Sequence, residues 1–550
     1  MSYASPKEIK AAFDKSKGNR ANFDIEWQKV ADEGIGRRQF TTRTVTKGLQ
    51  RYGHIVDSTM RSSHQMLTGG LMGLLANPET AWHDLRAPDD LIGMPEVDEW
   101  FRKATEINLR SFQRPEARWA ASFSESLSDG TGFGTGALMT LADPVTGPYF
   151  MARPLPEIYI AEDERGNIDT VYREFMFTAR QCQMAFGSGP VKKMGTTSSE
   201  TINKAMEKEP EKEFQILQLI HKVTDPAAKI GNLALMDKEW RSVYMVLEPA
   251  EMLSEGAFHE NPINVWRWGK EAGELYGIGP GWIALPDTQT LNRMRETILR
   301  TGQRNAEPPL LVPDDGILTQ LNGAPNSINV IRTDLLLRAG GRPIIQPLPS
   351  GANMPITREI MNDMRDAVRQ TFFANLLQLF NDPRMTATQV LELSAEAQRL
   401  MAPMLSRIKS ELLDPTVNRV FQINLRLGRM PQIPQVLEGR EFKVEYTSPV
   451  LRSQRQPEAQ TVLQIWAAAG QIGQIDPSVF DNLDADESIR LIHDAMGGAP
   501  TIMRGAEQVE EIRKAQAEMA KQQQAMQQAE QMSQVAKNLP PEMLQGAVAA

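Results

Sequence analysis

The sequence predicts a mixed α+β protein that is mainly helical, on three observations. Apolar residues recur at three- and four-residue steps through most of the 550-residue chain. Between Tyr149 and Trp268 the period changes to two. A segment too rich in proline and glycine for a helix then separates two long helical runs.

Residues 6–85 read mainly as helices. Pro6 suits a first turn, Ile9 and Phe13 begin a periodic pattern, and Ser58–Leu75 is an apolar helix that ends before Asn77-Pro78. Val97–Leu127 reads as a second helical block. Further on, Ile158 and Ile160 alternate with polar residues, Asp163 to Asn167 form a turn, and Val171, Arg173, Phe175 and Phe177 lie on the return arm of a hairpin. Thr178 and Gln181 fit a capping box, with Gly187 as a stop. Ser188–Glu211, rich in Gly, Ser, Thr and Lys, reads as a mobile loop. Strands are expected at Phe214–Val223, Arg241–Leu247 and Ile263–Trp268, giving an antiparallel sheet packed by helices.

Helix Thr288–Gln303 precedes Glu307–Met354, where seven prolines and five glycines interrupt short apolar runs. That density predicts a small β-containing insertion. Next, Ile356, Ile360, Met364, Val368, Phe372, Leu376 and Phe380 keep helical spacing over 25 residues, about 37 Å at ~1.5 Å per residue. Proline disfavours the α region for the residue before it, so the helix should stop at Asn381-Asp382-Pro383. Thr386 and Gln389 fit a new capping box. Two long helices therefore flank a short polar loop carrying Asp382, Pro383, Arg384 and Met385. A proline-rich crossing follows Met430, then a strand at Phe442–Tyr446 and helices from Pro457 to Ala495. The last pattern, from Val509 to Ser533, places Ala, Gln and Ser where a stable coiled coil wants Leu or Ile.

Bulk properties exclude several classes. The formal charge of −9 and pI near 5.5 argue against tight duplex binding, which draws its affinity from Lys and Arg on phosphates. No run of 18 apolar residues spans a membrane, and Met1–Arg20 lacks the apolar core of a secretory signal. Cys182 is the only cysteine, so there is no intrachain disulfide, which fits a reducing cytoplasm.

Two motifs invite chemistry. Asp129 to Gly136 resembles a glycine-rich phosphate loop, but a helical pattern precedes it and the Lys-Ser/Thr pair of a P-loop is missing. A tight joint between elements is the better reading. His54, His64, His83, His221, His259 and His493 have no zinc spacing. The acidic groups Asp314-Asp315 and Asp484, Asp486 and Glu487 read first as solvated surface. No catalytic set is assigned by spacing, and neither metal nor cofactor is expected.

Four stretches carry a family resemblance. They are Tyr52–Leu85, Arg153–Gln181, Tyr276–Gly316 and the segment from Asn381 to Pro434, NDPRMTATQVLELSAEAQRLMAPMLSRIKSELLDPTVNRVFQINLRLGRMPQIP. In this order they resemble the portal, or head-to-tail connector, proteins of short-tailed bacteriophages (podoviruses). The resemblance implies a non-enzymatic portal fold that assembles as a ring of about twelve copies around a central channel. Residues 1–275 would form the wing, 276–306 the first stem helix, 307–354 the clip and 355–380 the second stem helix. The tunnel loop would be 381–386, with Asn381, Asp382, Pro383, Arg384, Met385 and Thr386 facing DNA. Residues 387–450 would complete the wing, 451–502 the crown, and 503–550 a barrel-like C-terminal helix and tail. Asp314 and Asp315 would contribute to the clip interface with terminase or tail adaptor. Phe372, Phe373 and Leu377 would bury between neighbouring stems. The implied partners are double-stranded DNA passing through the channel, terminase, the tail adaptor, major capsid and scaffolding proteins, and internal ejection proteins. The implied place is one capsid vertex of a virion assembled in the bacterial cytoplasm. Two rival readings are another structural ring, such as a tail adaptor, and a nucleotide-binding enzyme using Gly130–Gly136.

Overall fold

The computed structural model describes residues 5–36, 55–76, 81–86, 91, 94–186, 199–223, 238–306, 310–311, 346–347, 354–375, 399–437, 443–445, 449–472, 477–496, 509, 512–516, 519 and 521. They form a mixed α+β structure, mostly helical, in two compact units. One comprises Met1–Thr80 with Arg110–Leu427, the other Ala81–Leu109 with Gly428–Ala550.

Element labels run along the first unit. Its N-terminal helix α1 (Pro6–Val30) starts where Ser5, in extended conformation, accepts a hydrogen bond from the Glu8 amide, with Pro6 in the first turn. Ile9, Phe13, Ser16, Arg20, Trp27 and Val30 are buried along one stripe. Helix α2 (Thr59–Leu75) follows, then α3 (Trp119–Phe133). The helical block expected over Val97–Leu127 is in fact two helices, Pro95–Gln113 and Trp119–Phe133. Pro115, which lacks an amide hydrogen and crowds the preceding turn, lies between them, and Arg118 has φ 57°.

Strand β1 (Thr135–Asp143) is the centre of a three-stranded antiparallel sheet, flanked by β2 (Gly147–Ala152) and β8 (Ile263–Arg267). A five-stranded antiparallel meander runs β3 (Ile158–Glu162), β4 (Ile168–Thr178), β5 (Glu213–Lys222), β6 (Trp240–Val246) and β7 (Glu251–Phe258). Residues two apart point to the same face. Leu217 and Leu219 accordingly join Tyr159, Tyr172, Val243 and Met245 under Ile9 and Phe13 of α1. Phe214 and Ile216 point the other way, toward α4 (Ala179–Phe186) and α5 (Glu200–Lys208). The hairpin and the strands at Phe214, Arg241 and Ile263 form as expected, within a residue or two. The capping box at Thr178 also forms. Gln181 Oε1 accepts from the Thr178 amide at 2.9 Å, and Thr178 Oγ1 accepts from the Gln181 amide at 3.3 Å.

Two expectations need correction here. Part of the loop expected over Ser188–Glu211 is helix α5, because Ser199 caps the Ile202 amide at 3.3 Å and Ile202 and Ala205 supply a buried three-residue step. Strand β7 was missed, since Ser254-Glu255-Gly256 breaks the apolar alternation.

Helix α6 (Leu285–Ala306) and helix α7 (Met354–Thr371) bracket the proline-rich insertion, in which Leu310-Leu311 pairs antiparallel with Gln346-Pro347. Helix α7 ends nine residues short of the expected Phe380. Phe372 and Phe373 form a turn, the Phe373 amide donates to the Gln370 carbonyl, and Phe373 has φ 53°. The apolar spacing survives this break because both Phe372 and Ala374 remain buried, so spacing alone could not reveal it. Helix α8 (Asp414–Arg426) is fixed to the smaller sheet by Arg419, which donates to the Thr140 and Glu260 carbonyls at 2.9 and 2.8 Å.

In the second unit, Asp84–Arg86 pairs antiparallel with Lys443–Glu445 beside helix Pro95–Gln113, and helices Pro449–Ile472 and Ala485–Met496 follow. Trp82, Leu85, Val97, Phe101 and Ala104 are buried there. Burial pushes His83 down to about 3, so it stays neutral and meets the Asn108 amide at 3.2 Å.

The contact of α1 with the larger sheet rests on Phe13, whose ring lies 4.9 Å from Tyr159 and 5.9 Å from Tyr172. Phe13→Ala should destabilise the chain by about 3–5 kcal/mol in denaturant titration, the range for truncating a buried aromatic ring.

Candidate functional site

Helices α6 and α7 meet the rest of the first unit at Asp57, in the short segment just before α2. Asp57 is 2% exposed. Arg295 of α6 donates to its Oδ2 at 2.9 Å, and Arg365 of α7 donates to the same oxygen through Nη2 at 2.8 Å and Nε at 3.1 Å. Oδ1 accepts from the Thr59 amide at 3.0 Å and from the Thr59 hydroxyl. One turn before Arg295, Asn292 Oδ1 accepts the Val56 and Asp57 amides at 3.1 and 2.9 Å, and its Nδ2 donates to the Glu33 carbonyl at 3.1 Å. Thus one carboxylate ties two long helices to a single point on the body.

The helices present these groups for a simple reason. Leu291, Asn292 and Arg295 share one face of α6, and Met361, Arg365 and Val368 follow 4-3 steps along α7. The polar members therefore sit inside otherwise apolar stripes. Burial pushes the Asp57 carboxyl upward, but hydrogen bonds from Thr59, Arg365 and Arg295 outweigh it and hold the group at about 2.

The root of α6 is fixed separately, by a crossing of two glycine-rich segments. Helix α3 ends at Gly134, φ 94°, and the chain enters β1 at once. Gly277, Gly279 and Gly281 run across this joint. A Cβ on Gly279 would lie 2.6 Å from the Gly134 nitrogen, and one on Gly281 would strike the Gly132 carbonyl. The Trp268 amide donates to the Gly134 carbonyl at 2.8 Å, and the Gly277 amide to the Thr135 hydroxyl at 2.9 Å. Gly130 and Gly136 face the Trp266 ring. Residues 129–136 are all buried, so these glycines serve backbone contact and offer no surface to a phosphate.

The residues singled out from sequence are distributed differently. Asn381, Asp382, Pro383, Arg384, Met385 and Thr386 lie outside the described residues, as do Asp314, Asp315 and Leu377. Phe372 is completely buried within the chain, its ring edge-on to His64 at 6.2 Å, so its burial needs no neighbouring copy. Phe373 is half-buried. His64 Nε2 donates to the Ser128 carbonyl at 2.9 Å, and Asp484 Oδ1 caps the Asp486 and Glu487 amides, which are structural roles. Sequence reading missed Asp57, Asn292, Arg295 and Arg365. The available signal was the polar residue at an apolar register in each helix.

A family model described as "Bacteriophage head to tail connecting protein" matches residues 6–503. The chain is 28% identical over 539 residues to the portal protein of Salmonella phage epsilon15, covering 95% of this chain and 93% of that protein. It is 27% identical over 534 residues to a probable portal protein of Bordetella phage BPP-1, covering 94% and 91%. A solved structure titled "Neck of empty GTA particle computed with C6 symmetry" aligns over 83% of this chain and 94% of its own, at 12% identity and a TM-score of 0.36.

Four variants test this geometry. Because Asp57 is held below its ordinary value of 3.8, its contribution is present above about pH 4 and is lost as pH falls toward 2. Asp57→Asn should remove that acid-dependent loss, and Asp57→Ala should cost roughly 3 kcal/mol at neutral pH, both read by denaturation across pH. Gly281→Ala should destabilise by about 1–3 kcal/mol. Gly302→Ala, in open space within α6, should instead stabilise by roughly 0.5–1 kcal/mol in the same assay.

Proposed function

The chain belongs to the bacteriophage head to tail connecting protein family, and from that premise we propose how its parts divide the work of a phage portal protein. Copies form a cyclic ring at one capsid vertex, of about twelve subunits, each presenting one face to the next. Helices α6 and α7 form the stem around the channel. Residues 307–354 form the clip that meets terminase during packaging and the tail adaptor afterwards, with Asp314 and Asp315 on that surface. The loop Asn381–Thr386 narrows the lumen. The observation that carries this reading is the family match over residues 6–503, with portal relatives aligned along almost the whole chain.

The physical requirements of a conduit agree with it. A duplex carries about one charge per 1.7 Å of axis, so a basic wall would hold it at every step. Exposed Glu359 and Asp363 share one face of α7 with Asp366, which is paired with Arg369 at 2.9 Å, and this supports a mildly acidic wall that keeps the polymer mobile. A single Arg384 per subunit would touch the backbone lightly and hold the genome without gripping it. Stem helices that bear on DNA must not tilt freely, and the Asp57 clamp supplies the fixed point. Chemical work belongs to the terminase. The buried Gly130–Gly136 joint disfavours the nucleotide-binding alternative. The pinned pair of long helices, with a paired-strand insertion between them, favours a portal over a shorter adaptor ring.

Electron microscopy of the purified chain with scaffolding protein, combined with particle mass, tests the reading. Rings with a central channel and about twelve subunits are expected, whereas persistent monomers or open filaments would refute it. In particles, Arg384→Ala should lower genome retention. Unchanged packaging and retention would remove Arg384 from the DNA contact.

A further inference from the structure

Helix α7 ends in a joint that its sequence does not call for. Phe372, 0% exposed, is followed by Phe373 with φ 53°, in the left-handed region. A Cβ in that region crowds the next carbonyl, so glycine or asparagine is usual there and a bulky aromatic residue is an outlier. The Phe373 amide donates to the Gln370 carbonyl at 2.9 Å, three residues back, where an unbroken helix would use Arg369. Helical backbone resumes at Ala374 and Asn375. Residues 371–380, TFFANLLQLF, hold neither glycine nor proline, the residues that ordinarily end a helix.

Side-chain geometry explains what the break gains and what it gives up. Each helical residue advances about 100°, so on an unbroken α7 Ala374 would stand about 200° round from Phe372, beside the exposed Gln370. The break turns Ala374 inward instead, to 1% exposure. On the same unbroken helix Leu376 would return to within about 40° of Phe372, on the stripe of Met361 and Val368. Two arrangements therefore compete for the end of one stripe. The broken joint buries a methyl group and carries a left-handed Phe373, whereas a straight helix would offer a leucine and restore the four-residue backbone bonds. We propose that α7 is a two-state joint at Phe373, whose second state has a right-handed Phe373 and a helix running on to Phe380. Phe372 is the pivot, buried with its ring edge-on to His64 at 6.2 Å. About two turns earlier Arg365 fixes α7 to Asp57, so switching displaces the chain beyond Asn375 and leaves the clamped part still. A force or ligand acting on that downstream chain selects the state by its differential contact with the two. The joint belongs to a single chain and operates with or without a ring.

Double electron–electron resonance on the full chain reads the two states. Spin labels go on Glu359→Cys and Gln378→Cys in a Cys182→Ala background, diluted with unlabelled chain, and a thermal melt checks folding. A straight helix sets these two backbone positions about 28 Å apart at ~1.5 Å per residue. The otherwise unaltered chain should show two distance populations, one near that length. Phe373→Gly, which frees the left-handed conformation and weakens the helix, should deplete the long population at least about tenfold. Phe373→Ala, a better helix former still penalised in the left-handed region, should enrich it about twofold. Leu376→Ala, which leaves Phe373 untouched, should deplete it severalfold, and it decides the matter if Phe373→Gly does not fold. A single distance, unchanged in every variant, would overturn the proposal. So would two populations whose ratio neither Phe373→Gly nor Leu376→Ala alters.

Discussion

The arrangement of the first unit depends on one buried carboxylate. Helix α6 is about 33 Å long at ~1.5 Å per residue over its 22 residues, and a long helix fixed only by its end would sweep a wide arc. Apolar packing between α6 and α7 resists separation but is indifferent to sliding and small rotations. Asp57 supplies the missing direction. Its Oδ2 is shared by Arg295 and Arg365, and the planar guanidinium groups meet it only in a narrow range of angles. Thr59 and the backbone around it fix the carboxylate in turn. Burying such a group is costly unless it is fully hydrogen-bonded, which is why Asn292 and Thr59 surround the same spot.

The glycine crossing complements that clamp. Asp57 fixes the flank of α6 at Arg295, and the Gly277–Gly281 segment fixes the approach to its start. Backbone pressed on backbone has no soft side-chain atoms to give, so the crossing positions the root of the helix tightly. Trp27 extends the same anchorage, its indole Nε1 donating to the Phe133 carbonyl at 3.0 Å. Helix α1, the end of α3 and the root of α6 thus share one packed region beside both sheets.

Much of this was legible in the sequence, for identifiable reasons. The hairpin at Ile158–Thr178 combined strict alternation with a turn sequence and a capping box, three local signals that agree. Pro6 and the Ile9, Phe13 step marked α1 equally well. The misses have a common cause. The break after Thr371 leaves apolar spacing intact, because Phe372 and Ala374, on either side of Phe373, are both buried. Pro115 was passed over because the flanking segments share a helical period. Helix α5 was hidden by the composition around it. The Asp57 clamp joins residues more than 200 positions apart, and no local pattern encodes such a pairing. What the sequence did offer was negative: Asn292 and Arg365 stand where their stripes call for apolar side chains.

Charge ties the structural and functional readings together. In the proposed ring, an acidic chain assembling with copies of itself would face repulsion growing with every subunit added, and screening over about 8–10 Å would relieve only part of it. Assembly is easier if positive charge is concentrated where subunits meet and negative charge where DNA passes. Helix α7 exposes Glu359, Asp363 and Asp366 on one face, the last paired with Arg369 at 2.9 Å, while Arg165, Arg267, Lys270 and Arg407 gather elsewhere among Glu162, Asp163 and Glu411. The net charge of −9 is thus less informative than its separation, which only the folded chain reveals.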